Sequence, residues 1–453
     1  MPDASADETL PVVCHENVWI DLPDGVRLAA RIWLPQGAEA VPVPAILEYL
    51  PYRKRDGTVA RDALTHPYFA ARGYACVRVD IRGNGDSDGL MSDEYSEQEL
   101  SDAEAVIAWL RRQPWCDGAV GMMGISWGGF NALQTAARRP AGLAAVVTLC
   151  STDDRFADDI HYSGGCLLNE NLGWGATMLS YSSRPPDPDL VGERWRHLWL
   201  DRLANQPLLI DRWLRHQTRD DYWRHGSVCE DIGAIEAAVL AVGGWGDAYS
   251  NAVPRLLATL KSPRKGIIGP WVHKYPHFAV PGPRIGFLQE ALRWWDRWLK
   301  GRETGVEQDP DLRVYQMESA RPATWYTERA GTWLGVPVWP PADPAETHFE
   351  VRGGTLRAQD QAETPHGSSM DDATRCGERV IHHRTPQTCG LDGGEYCAIW
   401  LGPDWPGDQR ADDARALVFE TDREQRKRLV ERSGQFEAGG TQNVQRLAQR
   451  FRL

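Results

Sequence analysis

Gly124-Ile125-Ser126-Trp127-Gly128-Gly129 constrains this chain more than any other stretch. The run before it, Ala119-Val120-Gly121-Met122-Met123, is apolar and reads as a short strand. The run after it, Phe130 to Arg139, is apolar with a basic end and reads as a helix. A strand, a sharp glycine turn and a helix in this order hold the serine between them in a strained backbone, and bulky neighbours would clash with both elements. The serine is thereby raised where a substrate carbonyl can meet it. The pattern predicts a nucleophile elbow with Ser126 as candidate nucleophile; the competing reading is a glycine-rich structural turn.

The flanking sequence supplies the context. Residues 14–35 alternate around Pro23-Asp24-Gly25 and read as an antiparallel hairpin. Val43 to Leu50 and Tyr74 to Ile81 read as buried strands, joined by a helix-like segment near Ala60 to Arg72. Tyr95 to Arg112 has helical periodicity, with Leu100, Ala103, Val106, Ile107 and Leu110 on one face. Leu143 to Leu149 follows the elbow helix as another strand, so the alternation predicts a mostly parallel sheet. From Asp153 to Gly233 no buried strand is legible; Trp195, Trp199, Trp213 and Trp223 sit in helix-compatible segments, and this part reads as an inserted helical cap. Ala237 to Val242 and Lys265 to Ile268 resume the strands, and Arg284 to Leu299 reads as a closing helix. Past Glu303 the texture becomes β-like, with Leu312 to Met317, Thr347 to Val351, Arg379 to His383 and Ala416 to Glu420 as examples. The expected organisation is a disordered start (1–11), a main domain (12–152 and 234–304), the cap (153–233), an all-β domain (305–422) and a basic, Arg/Gln-rich tail (423–453).

Composition narrows the function classes. At 453 residues more than one domain is expected. A formal net charge of -13 argues against nucleic acid and anionic membrane as partners. No apolar run is long enough to span a bilayer, and Met1 to Leu10 lacks the basic and apolar regions of a signal peptide. Nine cysteines without C-x-x-C spacing suit a reduced, cytoplasmic protein. Self-association is left open.

Serine needs an adjacent base to act as a nucleophile. In α/β-hydrolases the acid and then the histidine follow the serine along the chain, each past a strand. Ala238 to Val242 leads into Gly243-Gly244-Trp245-Gly246-Asp247, and Gly266-Ile267-Ile268-Gly269-Pro270-Trp271-Val272-His273 places a histidine past the next strand. Ser126, Asp247 and His273 therefore stand in the required order as nucleophile, imidazole-orienting acid and general base. His277 is the rival base, and Asp247 has a competing reading as the cap of a helix over Tyr249 to Leu260.

These segments resemble the cocaine-esterase-like, X-Pro dipeptidyl-peptidase-like hydrolases, the CocE/NonD group. Pro51-Tyr52-Arg53-Lys54, Asp80-Ile81-Arg82-Gly83-Asn84-Gly85 and the run from Glu290 to Gly301 join the resemblance, which covers residues 12–422. It implies an α/β-hydrolase fold with a helical cap and a C-terminal jelly roll. It also implies that Tyr52 donates its hydroxyl to an oxyanion hole beside the backbone N–H of Trp127. No cofactor or metal is implied. The loop Gly83 to Gly89 lacks the spacing of a phosphate or calcium loop, and His382-His383 with Cys376, Cys389 and Cys397 fits no standard zinc pattern. Trp174 is a candidate pocket residue.

The expected activity is cleavage of a small-molecule ester or amide through an acyl-enzyme. The alternatives are an X-Pro dipeptidyl-peptidase, an α-amino acid ester hydrolase, or an inactive remnant serving as a binding protein. Relatives acting on α-amino acid esters carry further acids directly after the triad aspartate; here Ala248-Tyr249-Ser250 follow, and Asp158-Asp159 supply only part of such a cluster. The resemblance ends near Asp422, where Arg423-Glu424-Gln425-Arg426-Lys427-Arg428 replaces further strands, so an incomplete jelly roll from a frameshift or truncated gene is expected.

Overall fold

The structure is a computed structural model and describes residues 9–342, 349–352, 355–358, 383–398, 405–418 and 420–421. Ten strands form one sheet: β1 (Val12–Asp21), β2 (Arg27–Pro35), β3 (Val43–Leu50), β4 (Ala75–Asp80), β5 (Cys116–Ile125), β6 (Leu143–Leu149), β7 (Ala238–Gly244), β8 (Arg264–Gly269), β9 (Leu312–Met317) and β10 (Gly331–Val336). Their order is β1-β2-β4-β3-β5-β6-β7-β8-β9-β10. From β4 to β9 neighbours run parallel, and the two ends are closed by antiparallel pairs. Parallel strands covered on both faces read as continuous apolar runs, and β3, with Ile46, Leu47, Tyr49 and Leu50 fully buried, is such a strand.

Helices cover the faces. Glu97–Leu110 is capped by Ser96, whose side chain accepts from the Glu99 N–H. Phe287–Trp298 buries Phe287, Ala291, Trp294 and Trp295, one stripe at helical spacing. Trp295 lies so close to β5 that a Cβ at Gly121 would stand 2.7 Å from its ring, which explains a glycine inside that strand. Between β6 and β7 the chain forms a two-residue-per-strand hairpin at Tyr162–Ser163 and Cys166–Leu167, then the helices Glu170–Ser182, Trp195–Asn205 and Leu209–Arg215. Among the described residues no helix is long and apolar enough to cross a membrane.

One sequence expectation is corrected here. Leu312 to Met317 is a strand, but it does not open a separate β unit. It runs parallel to β8 in the main sheet, with Leu312 and Val314 buried, and β10 then pairs with it antiparallel. Without them β8 would be an edge with open backbone groups beside the site. A distinct three-stranded sheet joins Phe349–Arg352, Thr355–Ala358 and Glu420–Thr421. The tail 423–453, most of the start 1–11, and Cys376 and His382 lie outside the described residues.

Candidate active site

Ser126 sits between β5 and the helix Trp127–Ala137 with φ 57° and ψ −125°, a strained conformation for a residue with a side chain. Its N–H donates to the Leu149 carbonyl at 2.9 Å, and its own carbonyl accepts from the N–H of Gly129 and Phe130. The turn closes so tightly that a Cβ on Gly124 would lie 2.5 Å from the Gly128 Cα. This steric demand is the reason for glycine on both sides of the serine.

Asp247 follows β7 and His273 follows β8, so both reach the same carboxyl-end rim of the sheet as Ser126. Nδ1 of His273 and Oδ1 of Asp247 are 2.8 Å apart, and both residues are buried. Asp247 caps no helix: the following helix is Ala252–Thr259, entered through Asn251. His277 lies apart from the aspartate, stacked on Phe287, and burial lowers its pKa to about 4.

Tyr52 follows β3. Burial lifts its phenol far above the usual value, against a side-chain hydrogen bond with Ser126 that lowers it, so the group stays a protonated donor. Two buried contacts hold its loop. The Lys54 N–H donates to Asp80 at 2.7 Å, and the Lys54 ammonium donates to Asp86 at 2.5 Å. The Pro51–Lys54 segment is thus tied to Asp80 by a hydrogen bond and to Asp86 by an ion pair. Trp174, from the helix Glu170–Ser182, packs its ring 6.3 Å from Tyr52 and 6.1 Å from Trp127, with Tyr181 5.6 Å from Tyr52. The structure therefore brings together Ser126 and Tyr52, Asp247 and His273, and Trp174 with Tyr52 and Trp127.

Three features escaped the sequence reading. The first is Glu99, a buried acid from the helix Glu97–Leu110. It accepts from the Trp127 indole at 2.6 Å and from Asn131 at 2.9 Å, tying the elbow helix to its neighbour. Burial raises its carboxyl to about 7, and Oε2 has no partner among the described residues. Because the folded pKa lies above the usual 4.5, the native state holds the extra proton, and stability falls as pH rises from 4.5 through 7. Glu99→Gln keeps the acceptor and removes the ionisation. Between about pH 5 and pH 8 the native protein should lose ~3 kcal/mol more unfolding free energy than this variant. Identical pH slopes in denaturant titrations would refute a buried, titrating Glu99.

The second is Glu94, which accepts from the Trp174 indole at 3.1 Å and bonds His161 Nε2 at 2.7 Å, with Arg155 3.6 Å away. Burial raises its carboxyl, but the His161 charge and hydrogen bond outweigh burial and hold it below the usual range. The third is made of residues 389–398 and 405–407. Tyr396 donates to the Asp159 carbonyl at 2.9 Å, the Ala398 carbonyl accepts the His273 N–H at 3.2 Å, and the Trp405 ring lies 2.7 Å from where a Gly246 Cβ would be. Cys397 Sγ stands 3.9 Å from Asp247 Oδ1. No local pattern in that glycine-rich stretch announces a contact with loops more than a hundred residues earlier.

Residues 24–275 match the family described as X-Pro dipeptidyl-peptidase (S15 family). The chain belongs to the S15 family. It is 29% identical over 431 residues to the cocaine esterase of Rhodococcus sp. (strain MB1 Bresler), covering 87% of this chain and 71% of that protein. A CocE/NonD family hydrolase from Staphylococcus aureus superposes with a TM-score of 0.60 at 17% identity, over 77% of this chain and 60% of that one. An α-amino acid ester hydrolase gives 0.55 at 20% identity, over 79% and 64%. These structural likenesses place the S15 chain in the α/β-hydrolase fold, and the chain spans less than two thirds of either solved structure.

Proposed function

We propose that this S15 chain is a serine hydrolase that cleaves a small-molecule ester or amide through an acyl-enzyme. The observation that carries the reading is the 2.8 Å bond between His273 Nδ1 and Asp247 Oδ1 on the rim that also holds the strained Ser126. A carboxylate can only accept, so the bond fixes the ring proton on Nδ1 and leaves Nε2 as the base. Ser126 Oγ attacks the carbonyl while its proton passes to Nε2. The tetrahedral oxyanion is met by the Tyr52 hydroxyl and by the Trp127 N–H, which as the first residue of its helix has no carbonyl of that helix to serve. His273 then protonates the leaving group, and water repeats the sequence to release the acid.

Tyr52→Phe removes one of two oxyanion donors while keeping the ring against Trp174 and Trp127. It should cost about 10²–10³-fold in kcat with KM little changed. A loss below about threefold in steady-state ester kinetics would reject that role.

The surroundings of Asp159 support a choice of substrate class. Its Oδ1 accepts from Tyr249 at 2.9 Å, Oδ2 has no partner among the described residues, and burial raises its carboxyl to about 6. Asp158 is engaged by Arg255 at 2.7 Å. With Asp158 taken by Arg255, Asp159 is left as a single carboxyl where a substrate ammonium would need a cluster, so simple esters and amides are favoured over α-amino acid esters and Xaa-Pro peptides. In keeping with the resemblance, residues 153–233 act as a cap over the aromatic site and the three-stranded sheet belongs to a jelly-roll domain. The test is labelling of the folded protein by a fluorophosphonate with Ser126→Ala as control, followed by turnover of short p-nitrophenyl esters against Xaa-Pro anilides. Absence of Ser126-dependent labelling would end the hydrolase reading. Faster cleavage of the anilides would overturn the substrate preference.

A further inference from the structure

We propose that Cys150, Asp247, His273 and Cys397 bind a thiophilic divalent metal ion, zinc or cadmium, and that its binding switches the hydrolase off. The off-switch rests on the serine-hydrolase reading; the metal site does not. Cys150 immediately follows β6, Asp247 and His273 follow β7 and β8, and Cys397 comes from residues 389–398. The ligating atoms of Cys150, Asp247 and His273 all lie within 4.8 Å of one another, and all three residues are buried. Cys397 Sγ reaches the same carboxylate from the other chain segment at 3.9 Å. Two thiols, an imidazole and a carboxylate form a donor set suited to tetrahedral zinc, with bonds of about 2.0–2.3 Å and neighbouring ligand atoms roughly 3.5 Å apart. The Cys397 sulfur is not one of that 4.8 Å group and has to close on the other three donors when the ion binds.

A second observation points to a ligand. Oδ2 of Asp247 has no N–H or hydroxyl donor among the described residues, only weak thiols beside the carboxylate, although the side chain is fully buried. Among the described residues the ion pair of this carboxylate is with His273. The contrast with Glu48, Asp62 and His66, which also cluster, is direct. There Arg61 lies 2.7 Å from Glu48 and 3.0 Å from Asp62, and Arg78 lies 3.5 Å from Asp62, so the positive charge a metal would bring is already present.

The inhibition follows from proton placement. The metal ion joins both sulfurs, a carboxylate oxygen and His273 Nδ1. Two thiol protons leave to solvent and no electrons move. The ring proton that sat on Nδ1 now resides on Nε2, so the imidazole cannot take the proton of Ser126. The cluster lies on the Asp247 side of the ring, so the loss should fall on kcat and not on KM.

Cobalt(II) serves as a spectroscopic stand-in for zinc. Titration of the full chain should give a thiolate-to-cobalt charge-transfer absorption at one equivalent, and zinc should abolish ester turnover until a chelator is added. Cys150→Ser and Cys397→Ser should each keep basal turnover, and their combination should lose the absorption and raise the half-inhibitory zinc concentration at least about 100-fold. Should Cys150→Ser fail to fold, Cys397→Ser alone carries the same expectation with a smaller shift. An absorption or a zinc sensitivity unchanged in the folded variants would assign metal binding to the exposed Cys14 or Cys166 and overturn the proposal. A chain without ester turnover that still shows the thiolate absorption would sink the hydrolase reading and leave the metal site standing.

Discussion

Ser126→Ala will lower kcat for ester hydrolysis by about 10⁵–10⁶-fold without unfolding the protein. The elbow geometry is set by the approach of Gly124 to Gly128 and by backbone bonds to Leu149, Gly129 and Phe130, none of which needs the hydroxyl. Alanine accepts the same positive φ at no greater steric cost than serine. What disappears is the only atom that can form the acyl-enzyme at this position. His273→Ala should cost about as much, and the double variant should be no worse than either, because nucleophile and base act as a unit. Steady-state kinetics with a melting curve for each variant checks both halves of the expectation. A non-catalytic binding protein built on this fold would behave differently: substitution at Ser126 would change ligand affinity and leave a negligible background rate where it was. Turnover surviving in Ser126→Ala within tenfold of the native protein would place the chemistry elsewhere.

The parts legible in the sequence share one physical property: they are enforced locally. A strand buried on both faces must be apolar throughout, so β3, β4, β6, β7 and β8 were readable, and the short loops after β7 and β8 exposed Asp247 and His273 as candidates, while Tyr52 came from the family resemblance. The elbow was readable because a Cβ at Gly124 has nowhere to go. What stayed hidden depends on contacts between distant segments. Glu99 and Glu94 are charged residues that a sequence reading assigns to a solvated face; they are buried because Trp127, Asn131 and Trp174 bring donors to them. Leu312 to Met317 was legible as a strand but not as a neighbour of β8, since strand pairing across more than forty residues leaves no periodic trace. The resemblance of Pro51–Lys54 and Asp80–Gly85 to family motifs gained a cause only when Lys54 was found bonded to Asp80 and Asp86.

The second large effect concerns a residue that touches no substrate. Asp247→Asn should reduce kcat by about 10⁴-fold at neutral pH. The carboxylate oxygen facing Nδ1 fixes one tautomer because it can only accept. An asparagine side chain can turn its amide nitrogen toward Nδ1 and stabilise the other tautomer, with the ring proton on Nε2 and nothing left to receive the proton of Ser126. The packing barely changes, since the two side chains are isosteric and Asp247 is already enclosed by Gly246, Cys397 and His273. The substitution leaves the proposed oxyanion and pocket residues Tyr52 and Trp174 in place, so KM should stay near its native value while the rate of fluorophosphonate labelling falls in step with kcat. Asp247→Ala tests the same point from the other side: it leaves the imidazole free to choose its tautomer, so it should retain more activity than the asparagine variant if tautomer control outweighs charge. A loss smaller than about tenfold in Asp247→Asn would mean that His273 is oriented by the backbone bond to Ala398 and not by the carboxylate.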